Sequence, residues 1–86
     1  MKTINLTAIT YRATLWEDKK AHDVHKDVAN AIYTNANTLE AQALALRLWE
    51  KGDGDFEVNE RELDIIRLSV RVLRYAAQAA ILKAIE

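Results

Sequence analysis

The residues of this chain that could do chemistry are few, and the sequence gathers them loosely. His22 and His25 stand three positions apart beside Asp23 and Asp27. On a helix that spacing would put imidazole and carboxylate on one face, as a borderline metal such as zinc would need. Two histidines make an incomplete ligand set, and polar side chains in the first turn of a helix are ordinarily solvated, so no metal site is expected. Gly52-Asp53-Gly54-Asp55-Phe56-Glu57 alternates carboxylates as a calcium loop does. With Asp53 as the first ligand, however, Val58 falls where the loop needs its glycine and Asp64 where it needs its bidentate glutamate, so a solvated turn is expected instead. Ser69 is the only serine, there is no cysteine, and neither histidine is placed beside a nucleophile. The inventory points to a protein without catalytic residues and without a cofactor.

One charged pattern is more regular. Glu60, Asp64, Arg67, Arg71, Arg74 and Gln78 recur at steps of four and three, the period of an α-helix, and form a narrow polar stripe on an otherwise apolar segment. Its basic middle, Arg67, Arg71 and Arg74, could grip phosphates, which makes a DNA-associated regulator the alternative function. Against it, the segment before this helix is longer than the turn of about three or four residues in a helix-turn-helix. A net charge of −1 also gives no global field to attract nucleic acid or an anionic membrane. Nucleic acid is therefore not the expected partner, nor is a membrane.

The elements that would position these residues follow from periodicity. Eighty-six residues make one small domain, residues 1–86, with a thin core that association would help. Thr3 to Ala8 alternates polar and apolar side chains, and the apolar set then changes parity to Ile9, Tyr11, Ala13 and Leu15. This predicts an N-terminal strand or hairpin over 2–16 with a bulge or turn near 8–10, paired with Phe56-Glu57-Val58 or with another chain. Val24, Val28, Ala31 and Ile32 predict a first helix over about 21–35. Asn37 followed by Glu40 predicts the capped start of a second helix over 38–51, ending at Gly52 as its left-handed residue. That helix is apolar on more than one face, which suits the central position. Asn59 with Glu62, and Val58 with Leu63, predict a capping box and hydrophobic staple opening a third helix over 60–86.

The third helix raises a problem of length. Continuous, it would run about 40 Å, whereas a globule of this size is only roughly 30 Å across. It must protrude, break, or pack on another chain. The β-branched stretch Ser69 to Val72 makes a break near 69–74 the weak point. Past Gln78 the polar stripe stops, and Ala79, Ala80, Ile81, Leu82 and Ile85 are expected either to bend back onto helix 2 or to bind a partner. The fold class is mainly α, of the α+β kind. The N-terminus lacks the apolar stretch of a signal peptide and no apolar run is long enough to span a bilayer, so a cytoplasmic protein is expected.

The order of these pieces resembles small proteins of tailed phages and prophages in which an extended N-terminal strand precedes a helical body. The matching residues are Val28-Ala29-Asn30-Ala31, Ala45-Leu46-Arg47-Leu48-Trp49 ahead of Gly52, Phe56-Glu57-Val58-Asn59 and Ala77-Gln78-Ala79-Ala80-Ile81-Leu82. Helix 2 departs from that pattern in being alanine-rich with a single tryptophan. The resemblance implies a structural or assembly accessory akin to tail-assembly chaperones, acting as a homo-oligomer or on a phage structural protein, and it transfers no catalytic or binding residues. With the apolar helical surfaces, it makes a non-enzymatic interaction protein the leading expectation.

Overall fold

In the computed structural model, which describes residues 2–51 and 54–86, four short strands and four helices surround one core. Strand β1 (Lys2–Asn5) pairs antiparallel with β4 (Asp55–Val58), Ile4 opposite Phe56, so the pairing expected for Phe56-Glu57-Val58 is formed within the chain. Alternation does the rest: Phe56 and Val58 are buried while Asp55 and Glu57 face out. The chain turns immediately after β1, where Asn5 Oδ1 accepts hydrogen bonds from the Thr7 backbone N–H (2.9 Å) and hydroxyl (2.6 Å). This side-chain-capped turn, one step earlier than expected, explains the change of parity.

Strands are formed within 2–16 as expected, but they do not pair with each other as a hairpin. Strand β2 (Ile9–Tyr11) does not pair with β1 but with β3 (Lys20–His22), Ile9 opposite His22, and residues 12–19 are the connecting loop. Residues 21 and 22 therefore belong to a strand, and α1 runs His25–Asn35 instead of starting at 21. Asp23 makes the switch: its Oδ1 accepts from the His25 backbone N–H at 3.2 Å, an Asx turn that satisfies one of the free donors at the helix start. The Val24 N–H donates to the Leu6 carbonyl at 2.8 Å and ties this corner to the turn after β1.

Helix α2 spans Leu39–Lys51. Its first turn is capped by Thr38, whose hydroxyl accepts from the Ala41 N–H at 3.1 Å; Asn37, the expected cap, lies one residue too early. The expected role of Gly52 falls outside the described residues. Helices α1 and α2 form a hairpin, with Val28, Ala29 and Ile32 buried beside Ala41, Leu44, Ala45 and Leu48. The alanines let the two backbones approach closely. Gly54 adopts φ +73° ahead of β4, a conformation that L side chains rarely take, although a Cβ there would meet no atom within 4 Å. Its requirement is conformational rather than spatial.

The expected capping box opens α3 (Glu60–Ser69): Asn59 Oδ1 accepts from the Glu62 N–H at 2.8 Å, and Glu62 Oε1 accepts from the Asn59 N–H at 2.9 Å. The long terminal helix then breaks where its β-branched residues gather. A 3₁₀ turn covers Val70–Val72, Leu73 is extended (φ −85°, ψ 166°), and α4 restarts over Tyr75–Ile85. Val70 is completely buried at the bend, so the chain keeps its core contact through the break. Helix α4 returns onto β2, the 3₁₀ turn and β1, rather than onto helix 2 as expected. The longest dimension of the molecule is 41 Å, against 23 and 22 Å across.

Candidate interaction surfaces

Both histidines were expected solvated in the first turn of the first helix; His25 does open α1 but is buried, and His22 lies in β3. His25 is buried, and its Nδ1 lies 2.5 Å from Asp23 Oδ1. His22 stacks on Tyr11 with ring centroids 4.2 Å apart. Among the described residues no three histidine or carboxylate side chains converge to hold a metal ion. Of the acidic turn, Asp53 lies outside the described residues, and Asp55 and Glu57 project from the exposed face of β4.

Asp23 thus accepts two hydrogen bonds from one residue. Its carboxyl is held below its ordinary range, chiefly by the side-chain hydrogen bond from His25 and further by the His25 backbone N–H and the charges of His25 and Lys26, against a smaller desolvation that raises it. A carboxyl whose folded-state affinity for protons is depressed stabilises the fold above its unfolded value and loses that contribution as pH falls through the folded one. Chemical denaturation of the native protein and Asp23→Asn should therefore differ at neutral pH and converge as pH drops below about 3.9. A difference independent of pH would remove the carboxylate from this corner.

The basic stripe loses its straight axis. Arg67 pairs with Asp64 at 2.7 Å on α3, Arg71 lies in the 3₁₀ turn, and Arg74 precedes α4, with the extended Leu73 between them. The period that set the three arginines on one helical face does not continue across the break.

The apolar terminal segment divides. Ile81 and Ile85 are fully buried in the chain's own core, with Ala80 and Leu82 half-buried against it. Ala79 is exposed. Ala79 and Leu82 lie beside the largely exposed Tyr75 along the outside of α4, where a shallow depression also takes in Gln78, Lys83 and Glu86.

A different apolar surface was not singled out by residue in the sequence. Helix α2, expected to be covered on several faces, buries only its inner one. On the other, Leu39, Leu46 and Trp49 are exposed at 85%, 50% and 49%. Leu46 and Trp49, with Tyr33, Ala29 and Asn30 of α1 and Ala45, line a groove of about 200 Å³ between the two helices. The Lys26 ammonium lies over the Trp49 ring, 5.2 Å from its centroid. A larger depression of about 460 Å³ lies between the α1–α2 corner and α3, but its rim carries Glu40, Arg61 and Asp64, with Glu40 and Arg61 paired at 2.7 Å. The smaller groove is the one lined by aromatic and aliphatic side chains with a single cation beside it, the composition of an anchor pocket. The signal for it was the Leu39, Leu46, Trp49 spacing, a second helical stripe opposite Ala41, Leu44 and Leu48.

No helix among the described residues is long and apolar enough to cross a membrane. Comparison with protein-family models, with characterised proteins and with solved structures finds no match.

Proposed function

We propose that this protein is a non-enzymatic interaction and assembly accessory that works in the cytoplasm by taking an apolar side chain of a protein partner into the α1–α2 groove. The observation that carries this reading is the exposure of Tyr33, Leu46 and Trp49 around one concave site. Clustered exposed aromatics in a small domain mark an association surface, whereas scattered ones need no explanation. The resemblance to small tailed-phage proteins supplies the process, phage or prophage morphogenesis, and the partner class, a second copy or a phage structural protein. The DNA-associated alternative has less support, because the helix on which Arg67, Arg71 and Arg74 would form one stripe is interrupted.

The test is a titration of isotope-labelled protein with itself and with the purified products of its neighbouring genes, read through the Trp49 indole N–H and the Tyr33 and Leu46 amides. These signals should move on binding, and Leu46→Glu should weaken the interaction at least about 10-fold. Binding that leaves all three untouched would refute the groove. Duplex DNA that moves the Arg67, Arg71 and Arg74 signals instead, with affinity falling steeply in salt, would put the regulator in its place.

A further inference from the structure

The loop joining β2 to β3 ends in the two most exposed large apolar side chains of the described residues, Leu15 at 88% and Trp16 at 86%. A consecutive leucine and tryptophan held in water at a hairpin tip are costly unless something receives them. The loop itself is not slack: Glu17 N–H donates to the Thr14 carbonyl at 3.3 Å, closing a turn that presents the pair, and the loop is anchored where Tyr11 stacks on His22.

Resting on the groove reading above, we infer that the occupant of the α1–α2 groove is the Leu15–Trp16 tip of a second copy of this chain. Size favours it. An apolar cavity of roughly 150 Å³ is enough to admit one benzene ring, so a groove of about 200 Å³ suits a single large aromatic side chain better than the face of a whole helix. Charge favours it as well. Glu17, 4.0 Å from Lys20 at the base of the loop, and Asp18 follow Trp16, while the Lys26 ammonium lies over Trp49 beside the groove. An acidic side of the tip therefore faces the cation beside the groove.

Within one molecule the tip leaves its own groove empty, as the exposure of Trp16 and Trp49 requires. A tip and a groove are different patches, so two copies either exchange tips across a two-fold axis in an isologous dimer or pass them on head to tail as a heterologous contact. One aromatic side chain seated in the groove with Leu15 at its rim buries less than a standard interface, which places the association among weak, reversible ones. In the loop 12–19, Arg12 and Lys19 balance Glu17 and Asp18, so the tip has no net charge to favour an anionic lipid surface over protein.

The chain has two tryptophans, and their indole N–H signals separate the two halves of the contact without any substitution. On raising the concentration of the native protein, the Trp16 and Trp49 indoles should shift along one isotherm, with sedimentation showing mass above the monomer. Trp16→Ala, at a position too exposed to affect folding, should weaken association roughly 30-fold, the size of an aromatic anchor loss. Because the chain has no cysteine, Leu15→Cys and Leu46→Cys variants mixed under oxidation should give a crossed disulfide faster than Leu15→Cys with Glu60→Cys. A strict monomer with neither indole moving up to about 1 mM would overturn the inference. Association in which Trp49 shifts and Trp16 does not would also overturn it while leaving the groove reading standing. A Trp16 shift on adding anionic phosphatidylserine vesicles to dilute monomer would overturn it in favour of a lipid surface.

Discussion

Ile81→Ala is expected to cost about 3 kcal/mol, within the range of about 2–5 kcal/mol for truncating a fully buried isoleucine. Ile81 has no exposed surface, and it sits on the face of α4 that returns to β1, β2 and the 3₁₀ turn. A domain of this length holds on the order of 4–13 kcal/mol in all, so the single change removes a large part of it. The midpoint of urea unfolding should fall with little change in slope, and the melting temperature should drop by about 15 °C. Ala79→Ser, on the outer face of the same helix, should stay within about 0.5 kcal/mol. The contrast decides between two uses of the segment. If α4 served only a partner, Ile81 and Ala79 would be equally dispensable to the isolated chain. A loss below about 0.5 kcal/mol at Ile81 would show α4 undocked in solution and return Ile81 and Ile85 to a binding role.

What could be read from the sequence was what is decided locally. The Asn59–Glu62 box is settled within four residues, and Phe56-Glu57-Val58 announces its two faces by alternation, so both were legible. The break at Val70–Val72 was legible from its β-branched residues and not from length, because the molecule's longest dimension, 41 Å, would hold a helix of about 40 Å. Strand β3 was not. Lys20-Ala21-His22 has no β-branched residue, and it is extended because it pairs with Ile9, Thr10 and Tyr11 on the far side of a loop. The same pairing shifted the start of α1 and buried His25. The groove was missed for a related reason. An apolar second face on α2 carries the same pattern whether it is covered or open, and only the placement of α1 leaves Trp49 and Leu46 at the surface while Leu44 and Leu48 are closed off. The same holds for Leu15 and Trp16. Their types suit a strand, and only the β2–β3 pairing turns them into a loop tip.

The link between α2 and α3 gives the other large expected effect. Glu62 is buried, with its side chain 7% exposed, and its two carboxylate oxygens serve different partners. Oε1 closes the capping box on the Asn59 N–H, and Oε2 accepts from Arg47 Nη1 at 2.8 Å. Glu62→Ala removes both at once. Loss of the Glu62 half of the box, with Asn59 Oδ1 still accepting from the residue 62 N–H, costs up to about 1 kcal/mol. Breaking the pair adds about 1–2 kcal/mol, short of the fully buried case because the Arg47 side chain, 53% exposed, can return to water. The expected total is up to about 3 kcal/mol in urea unfolding. Glu62→Gln keeps the Oε1 acceptor and loses the charge, so it should recover the cap and fall between the two. Arg47→Ala leaves the buried carboxylate with one partner, the Asn59 N–H, and also removes a guanidinium 5.3 Å from the Phe56 ring, so it should cost about 1–2 kcal/mol. The double variant should lose less than the sum, with a coupling of about 1 kcal/mol. Strict additivity would mean that Arg47 and Glu62 act independently, and α2 would then be held to α3 by apolar contacts and by the Glu40–Arg61 pair alone. Because α2 carries Leu46 and Trp49, a coupled Arg47–Glu62 bridge fixes the groove wall to the capped start of α3, one residue after the strand that pairs with the N-terminus.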